Sequence, residues 1–251
     1  MDTGLNRNAS FMPQISVEEY EQLSPAQAIE LQKQLRTQIS IEPLSKPIQT
    51  IADADISFNK YEETVYAGII VLSFPDLQEI EKSTIISKTT FPYIPGLLSF
   101  REIPSLLKAW NQLKIKPDLM VLDGQGIAHP RRMGIATHFG LITDSPTMGC
   151  AKSLLTGKFE PLPEKAGSES LIYDRDEVIG AALRTKNKVN PVFISPGHRI
   201  NLEQSLAIIK QCITGYRIPD PTRKAHLLVN QIRTQNMGDK NSMQLGLFKY
   251  A

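Results

Sequence analysis

Acidic residues stand at three separate points of the chain where predicted elements could bring them together. In the segment IADADISF (residues 51–58), strand alternation sets Asp53 and Asp55 on one face, and Asp123 ends a strongly apolar run. Glu102 follows a proline-rich loop. Hard divalent cations such as Mg²⁺ take oxygen ligands and keep several waters, so two or three carboxylates plus a substrate phosphate form a suitable set. This set suits phosphodiester hydrolysis, in which a cation polarises the phosphate and activates water.

Each carboxylate also has an ordinary structural interpretation. An Asp at a strand end, such as Asp123, commonly caps the next turn, and Asp55 could lie on a solvated strand face. The residues alone leave both interpretations open.

The elements that must position these residues follow an α/β pattern. Ser24, Pro25 and Gln27 predict the capped start of a helix, and residues 104–113, 131–141 and 202–213 predict three more helices. β-branched runs predict three neighbouring antiparallel strands, residues 48–58, 65–74 and 80–89. The apolar run 119–122 predicts a strand parallel to a neighbour, followed by strands at 147–151 and 192–195 and a meander over 172–184. We therefore expect a mixed central sheet flanked by helices.

Composition and charge limit the class of protein without identifying it. The 251 residues are 41% hydrophobic with a net charge of +2, which suits one globular domain and permits an acidic partner without indicating one. No apolar run approaches the ~18 residues that span a bilayer, and the N-terminus lacks a signal core, so we expect a cytoplasmic protein with no membrane partner. Cys150 and Cys212 are predicted to be free thiols. We predict an N-terminal extension (1–47) whose helix packs on the core, a catalytic domain (48–229) and a polar, flexible tail (230–251).

Two longer segments make the pattern specific: PYIPGLLSFRE (residues 92–102) and DGQGIAHPRRMGIATHFG (residues 123–140). With IADADISF and PTRKAH (residues 221–226), they resemble the endonuclease V family, metal-dependent nucleases that cut DNA beside deaminated bases. The resemblance implies a ribonuclease H-like fold and an Mg²⁺ cofactor, for which Mn²⁺ is expected to substitute. It also implies a catalytic set in which the first three residues bind the metal, His226 positions or activates water and Lys152 contacts phosphate: Asp55, Glu102, Asp123, His226 and Lys152.

At Asp53 the chain departs from the family pattern, which commonly has a small residue such as Gly there. A second carboxylate on this strand face could attract another cation or raise a neighbouring pKa. The other interpretation is a solvated Asp outside the site.

The resemblance also implies a device for base recognition. A stiff loop would act as a strand-separating wedge through Pro92, Tyr93, Ile94 and Pro95. The pocket for the flipped base would be formed by Gly96, Leu98, Gly124, Gly126, His129, Gly134 and Ile135. Without the family, we would instead take Tyr93 as a core anchor and the glycines as turn and packing residues.

We therefore expect a DNA repair endonuclease, active as a monomer, that recognises deoxyinosine. By resemblance it cuts the second phosphodiester 3′ to the lesion and leaves 3′-hydroxyl and 5′-phosphate ends. The alternatives are an endoribonuclease for inosine-containing RNA, a lesion-binding module that does not cleave, and a nuclease without lesion choice. Single-stranded nucleic acid is a further expected partner.

Overall fold

A mixed sheet of eight strands forms the centre of the protein in the computed structural model, which describes residues 17–59 and 62–247. The strand order is β3-β2-β1-β4-β5-β8-β7-β6. The strands are β1 Thr50–Phe58, β2 Thr64–Ser73, β3 Glu79–Lys88, β4 Leu119–Leu122, β5 Thr147–Ala151, β6 Glu169–Asp174, β7 Glu177–Leu183 and β8 Val192–His198. The helices are α1 Val17–Gln22, α2 Pro25–Arg36, α3 Leu98–Gln112, α4 Ile135–Thr143, α5 Leu202–Gln211 and α6 Asp220–Leu247.

Strand β1 lies at the switch between antiparallel and parallel pairing. It pairs antiparallel with β2 and parallel with β4, and β4 pairs parallel with β5. The predicted antiparallel trio and the predicted parallel strand are therefore confirmed, as is the mixed sheet. The carboxyl ends of β1, β4 and β5 meet at one edge, where open α/β sheets place ligands.

The two faces of β1 pack against different layers. Ile51 belongs to a core cluster that includes Ala225 of α6, whereas Ala52 and Ala54 pack in a cluster with Ile103 of α3 and Phe139 of α4. Because side chains alternate along a strand, Asp53 and Asp55 face the layer that contains α6.

The helix predicted at Ser24 is present, with the capping box between Ser24 and Gln27. Leu31 and Leu35 of α2 share a buried cluster with Phe100 of α3, so this helix packs on the layer that contains α3. Residues 1–16 of the predicted extension and 248–251 of the predicted tail lie outside the described residues. Cys150 and Cys212 are buried free thiols, as predicted.

Three predicted boundaries were wrong. Helix α3 begins at Leu98, six residues before the predicted start at Pro104, because the buried side chains of Phe100 and Ile103 extend the helix before the proline. Glu102 therefore lies on the helix, and Pro104 lies inside it. Helix α4 begins only at Ile135, because residues 129–132 form a turn. Strand β8 extends to His198, three residues beyond the predicted end.

Helix α6 continues to Leu247, through most of the segment from Asn230 onward that was predicted to be a polar, flexible tail. Asn230 and Arg233 bond to Ser57 and Asn59, so polar side chains of this segment have partners at the end of β1 and just after it. Within the described part of the chain, no helix combines the length and the apolar character needed to cross a membrane.

Candidate active site

Asp55 and Asp123 lie side by side at the carboxyl edge of the sheet. The parallel register pairs Asp53 with Val121 and Ala54 with Leu122, and one more step along it sets Asp123 beside Asp55. Neighbouring strands are about 4.8 Å apart, so the two carboxylates share one small region. Burial and the charge of Asp123 raise the pKa of Asp55, against the opposing hydrogen bonds from His226 and the Ile56 amide.

Glu102 reaches the same region from α3, on the other side of the sheet. Burial, followed by the negative charges of Asp55 and Asp123, raises its pKa to about 8, and Arg101 only partly opposes this shift. The three predicted metal ligands therefore influence one another electrostatically, although they come from three different elements.

Asp53 lies one step deeper on β1 and is fully buried, so the interpretation as a solvated residue was wrong. Its Oδ2 accepts a hydrogen bond from Thr222 Oγ1 at 2.7 Å, and its Oδ1 has no hydrogen-bond partner among the described residues. Burial, followed by the charges of Asp123 and Asp55, holds the pKa of Asp53 well above its usual value despite the Thr222 hydrogen bond. The chain thus carries an additional buried carboxyl beneath the site.

His226, on helix α6, lies beside Asp55 of β1. Its Nδ1 lies 2.8 Å from Asp55 Oδ2, while Asp55 Oδ1 accepts from the Ile56 amide at 2.8 Å. His226 Nε2 lies 3.0 Å from the side-chain nitrogen of Asn230. The predicted catalytic histidine is therefore in direct contact with a predicted metal ligand.

Lys152 follows β5 and contacts Asp123 through its Nζ. Burial alone would lower the pKa of Lys152, but the contact with Asp123 and the charges of Asp55 and Asp53 outweigh burial and raise it. The lysine is therefore a fixed positive charge at the edge that carries the carboxylates, suited to contact a phosphate.

The donor set fits a hard divalent cation that keeps part of its water shell. Among the described residues, no three His, Cys, Asp or Glu side chains already stand in the arrangement of a complete cage. Asp55 and Asp123 nevertheless supply neighbouring oxygen ligands, and Glu102 can add a third from α3. Mg²⁺ is commonly held by only one or two carboxylates together with waters and substrate phosphate, so this set is sufficient.

A cavity of about 380 Å³ opens directly beside these charges. This volume lies in the range of about 300–1,000 Å³ found for small-molecule pockets. Asp123 and Lys152 line it, and six of the seven predicted base-pocket residues do so too: Gly96, Leu98, Gly124, His129, Gly134 and Ile135. Gly126 is not among the lining residues; its backbone packs so closely on Pro196 that a Cβ there would lie 2.0 Å from the Pro196 carbonyl oxygen. Its role is close packing of the loop.

The loop predicted to be a wedge forms one wall of the cavity. Tyr93 is 67% exposed, so its ring does not anchor the loop in the core, and Pro92 and Pro95 are exposed as well. Ile94 packs on the cluster that contains Phe91 and Leu97, which fixes the base of the loop.

The Gly96 carbonyl at the end of this loop accepts three hydrogen bonds. They come from Gln32 Nε2 at 3.0 Å, His129 Nε2 at 3.1 Å and Arg131 Nη2 at 2.8 Å. His129 Nδ1 accepts from the Arg131 amide, so Nε2 carries the proton. Burial, followed by the positive charge of Arg131, lowers the pKa of His129 to about 4, which favours this neutral form. Tyr93 is thus an exposed ring on a firmly held loop.

Comparison with known proteins decides the family. The family model for endonuclease V matches residues 33–227. The chain belongs to the endonuclease V family. The endonuclease V of Gloeobacter violaceus is 48% identical over 214 residues, which cover 84% of this chain and 87% of the relative.

Solved structures of endonuclease V share the fold. That of Streptomyces avermitilis has a TM-score of 0.80 at 35% identity and covers 85% of this chain and 95% of its own. That of Ciona intestinalis, in complex with a 24mer DNA containing an inosine followed by a ribo-adenosine, has a TM-score of 0.74 at 29% identity and covers 84% and 98%. The fold is therefore ribonuclease H-like, and the protein is a nuclease that hydrolyses phosphodiester bonds.

Some residues of this endonuclease V site could not be selected from the motifs alone. Gln125, Ser153, Leu154 and Leu155 line the cavity, and Thr222 contacts Asp53. The segment after Lys152 leaves the same sheet edge as Asp123, which is a signal that could have indicated residues 153–155. Thr222 lies four residues before His226, the spacing of one helix face.

Three arginines of the chain have partners within the protein. Arg132 pairs with Asp174 and Glu177, and Arg199 pairs with Asp144. Arg131 holds Gly96, as described above. Arg131 and Arg132 therefore stabilise the loop that follows Asp123, whereas the Arg199–Asp144 pair lies at the opposite edge of the sheet.

Proposed function

We propose that this protein is a metal-dependent DNA repair endonuclease that recognises deoxyinosine and hydrolyses the second phosphodiester 3′ to it, leaving 3′-hydroxyl and 5′-phosphate ends. The observation that carries this proposal is that Asp123 and Lys152 line the same cavity as the glycine-rich pocket. A base held in the cavity would place its own strand beside the carboxylates. We expect the enzyme to act as a monomer in the cytoplasm.

Each group of the site has a separate role in this proposal. Asp55, Glu102 and Asp123 would hold Mg²⁺, or Mn²⁺ in its place, which supplies charge to polarise the phosphate and to acidify water. Lys152 would balance the phosphate charge, and His226 would position the attacking water. Tyr93 would fill the gap left by a flipped base. Because opening a duplex costs least at a mispaired site, this insertion would itself favour lesions.

Gln125 offers a physical basis for choosing hypoxanthine over adenine. Its side chain is 7% exposed, its Nε2 donates to the Ser153 carbonyl at 2.8 Å, and its Oε1 has no partner among the described residues. Hypoxanthine carries a proton on ring nitrogen N1, whereas adenine has a lone pair there. Turned toward a base in the cavity that Gln125 lines, this acceptor would bind the first base and repel the second.

One observation favours a second candidate, cleavage of inosine-containing RNA. The Ciona intestinalis complex holds DNA with an inosine followed by a ribo-adenosine, so a ribose next to the lesion is accommodated in that relative. The 2′-hydroxyl is the group by which a protein distinguishes RNA from DNA.

The test is cleavage of a labelled duplex with one deoxyinosine, with Mg²⁺ or chelator, by the wild type and by Asp123→Ala. Matched substrates carry adenine at the same position or a ribonucleotide next to the inosine. We expect a Mg²⁺-dependent nick only at the inosine, lost in Asp123→Ala. Equal cutting of the adenine duplex would refute lesion recognition, cutting of only the ribonucleotide substrate would favour the RNA alternative, and binding without a nick would indicate a lesion-binding module.

A further inference from the structure

Helix α6 is joined to β1 by a regular series of side-chain contacts that extends on both sides of His226. The four contacts, here named the β1–α6 ladder, are Thr222 to Asp53 (2.7 Å), His226 to Asp55 (2.8 Å), Ser57 to Asn230 (3.2 Å) and Arg233 to Asn59 (2.9 Å). Only the second involves the catalytic residues predicted by the motifs.

The ladder is regular because two residues of a strand and four residues of a helix advance by nearly the same distance. Its members on β1 and just after it are every second residue, and its α6 members are separated by four, four and three residues. Two strand residues advance about 6.6 Å and four helix residues about 6 Å. Successive contacts therefore stay aligned, and together they fix the position of α6 along β1.

Gly68 shows how closely the helix lies on the sheet. It is the partner of Asp55 on β2, and a Cβ at Gly68 would lie 2.8 Å from Val229 Cγ1 on α6. The helix therefore lies directly on the strands next to Asp55, and a shift of α6 toward the sheet is blocked at this point.

Asn230 determines which nitrogen of His226 carries the proton. Asn230 Oδ1 accepts from Ser57 Oγ and from Arg233 Nη2, both at 3.2 Å, so its side-chain nitrogen faces His226, where it donates to the backbone carbonyl at 2.9 Å and lies 3.0 Å from Nε2. An amide nitrogen only donates, so Nε2 accepts and Nδ1–H donates to Asp55. The ladder thus sets both the place and the tautomer of the imidazole.

We propose that the two ladder contacts on either side of His226, Asp53–Thr222 and Ser57–Asn230, position its imidazole. Their four residues are therefore positioning residues. Thr222 Oγ1 donates to Asp53 whether or not that carboxyl carries a proton, so the contact holds in both forms. Asn230 lies beyond residues 33–227, the segment that the family model matches. The inference rests on the role proposed above for His226 in cleavage.

The test compares Thr222→Val and Asn230→Leu with Asn236→Leu, all in the full chain. Asn236 is a matched control, because it also lies on α6 and bonds to a sheet residue, Tyr66, at 3.0 Å, but ten residues after His226. The measurements are the single-turnover rate at saturating deoxyinosine duplex, the Kd for that duplex, and the ¹⁵N shifts of the His226 imidazole.

For Thr222→Val and Asn230→Leu we expect the single-turnover rate to fall about tenfold or more while the Kd stays unchanged. Small misplacements of a catalytic group reduce the rate of the chemical step strongly. Asn236→Leu should match the wild type, and Thr222→Ser, which keeps the hydroxyl, should restore the rate lost in Thr222→Val. In Asn230→Leu the ¹⁵N shifts should show proton population moving toward Nε2. In a His226→Ala background neither substitution should lower the rate further.

Several results would overturn the proposal, and they separate it from the proposed function. A loss that persists in the His226→Ala background would mean that the ladder only supports the fold, as would a Thr222→Ser variant as slow as Thr222→Val. Full activity of His226→Ala would remove the role of His226 and this inference with it. If the wild type does not cut the deoxyinosine duplex, the substrate proposal fails, and unchanged imidazole shifts in Asn230→Leu then overturn the ladder separately.

Discussion

Replacing Gln32 by leucine is expected to loosen the loop that carries Tyr93. Gln32 is fully buried on α2. Its Nε2 donates to the carbonyls of Gly96 and Met133 at 3.0 and 3.3 Å, and its Oε1 accepts from Arg131 Nε. Leucine has a similar volume but no polar atoms, so the substitution removes three hydrogen bonds without opening a large cavity.

The size of the effect follows from which groups lose a partner. The Gly96 carbonyl keeps its bonds from His129 and Arg131, so the main losses fall on the Met133 carbonyl and the Arg131 guanidinium. A buried polar group without its partner costs about 1–3 kcal/mol, which gives about 2–6 kcal/mol of unfolding free energy for the two together. Reordering one loop residue on substrate binding costs about 1–2 kcal/mol more, which corresponds to roughly 5- to 30-fold weaker binding.

Urea denaturation and binding of the deoxyinosine duplex measure the two parts separately. Gln34→Leu is the matched control, because it places the same substitution on the exposed face of the same helix and should change stability by less than about 0.5 kcal/mol. The single-turnover rate of Gln32→Leu at saturating duplex should stay near the wild-type value. If Gln32→Leu equals Gln34→Leu in both stability and affinity, then Gln32 does not hold the loop.

Three further predictions follow from the cavity and its charges. The His129 imidazole should remain neutral down to about pH 4 in an NMR titration. Because an unfolded His accepts its proton near pH 6.5, this group lowers stability as pH falls from about 6.5 to 4, and a midpoint near 6.5 would contradict its buried hydrogen bonds. The pKa of Glu102 is raised to about 8, so below that pH a bound cation must displace its proton. Calorimetry should therefore show tighter Mg²⁺ binding at pH 8.5 than at pH 6.5. Equal affinities would show that Glu102 is not a ligand. Gln125→Leu should reduce the preference for inosine over adenine about tenfold, since one buried hydrogen bond is lost, and an unchanged cleavage ratio would remove Gln125 from base recognition.

The edge of the sheet was predictable from the sequence because it depends on local patterns. Strand alternation placed Asp53 and Asp55 on one face, and the apolar run before Asp123 indicated a strand ending at the ligand edge. The positions of Glu102 and His226 came from the family resemblance; in the structure His226 contacts Asp55, and Glu102 lies near enough for the charge of Asp55 to raise its pKa.

Other features were not predictable because they depend on contacts between residues far apart in the chain. Gln32 and Gly96 are 64 residues apart, and no local spacing indicates their hydrogen bond. The polar composition after Asn230 suggested disorder, since few apolar side chains are available there to offset the loss of chain entropy. Asn230 and Arg233 nevertheless make hydrogen bonds to Ser57 and Asn59, partners that only the folded sheet provides.

The site as a whole holds negative charge where the fold makes charge unfavourable. Burial and mutual repulsion raise the pKa of Asp53, Asp55 and Glu102, so the folded chain favours bound protons at these positions. A divalent cation relieves the same repulsion, and the unfavourable electrostatics therefore become binding energy when it enters. Lys152 contacts Asp123. Among the described residues, Asp55 and Glu102 have no lysine partner. The arrangement is expected to favour a cation at Asp55 and Asp123 while Lys152 remains close enough to meet the phosphate.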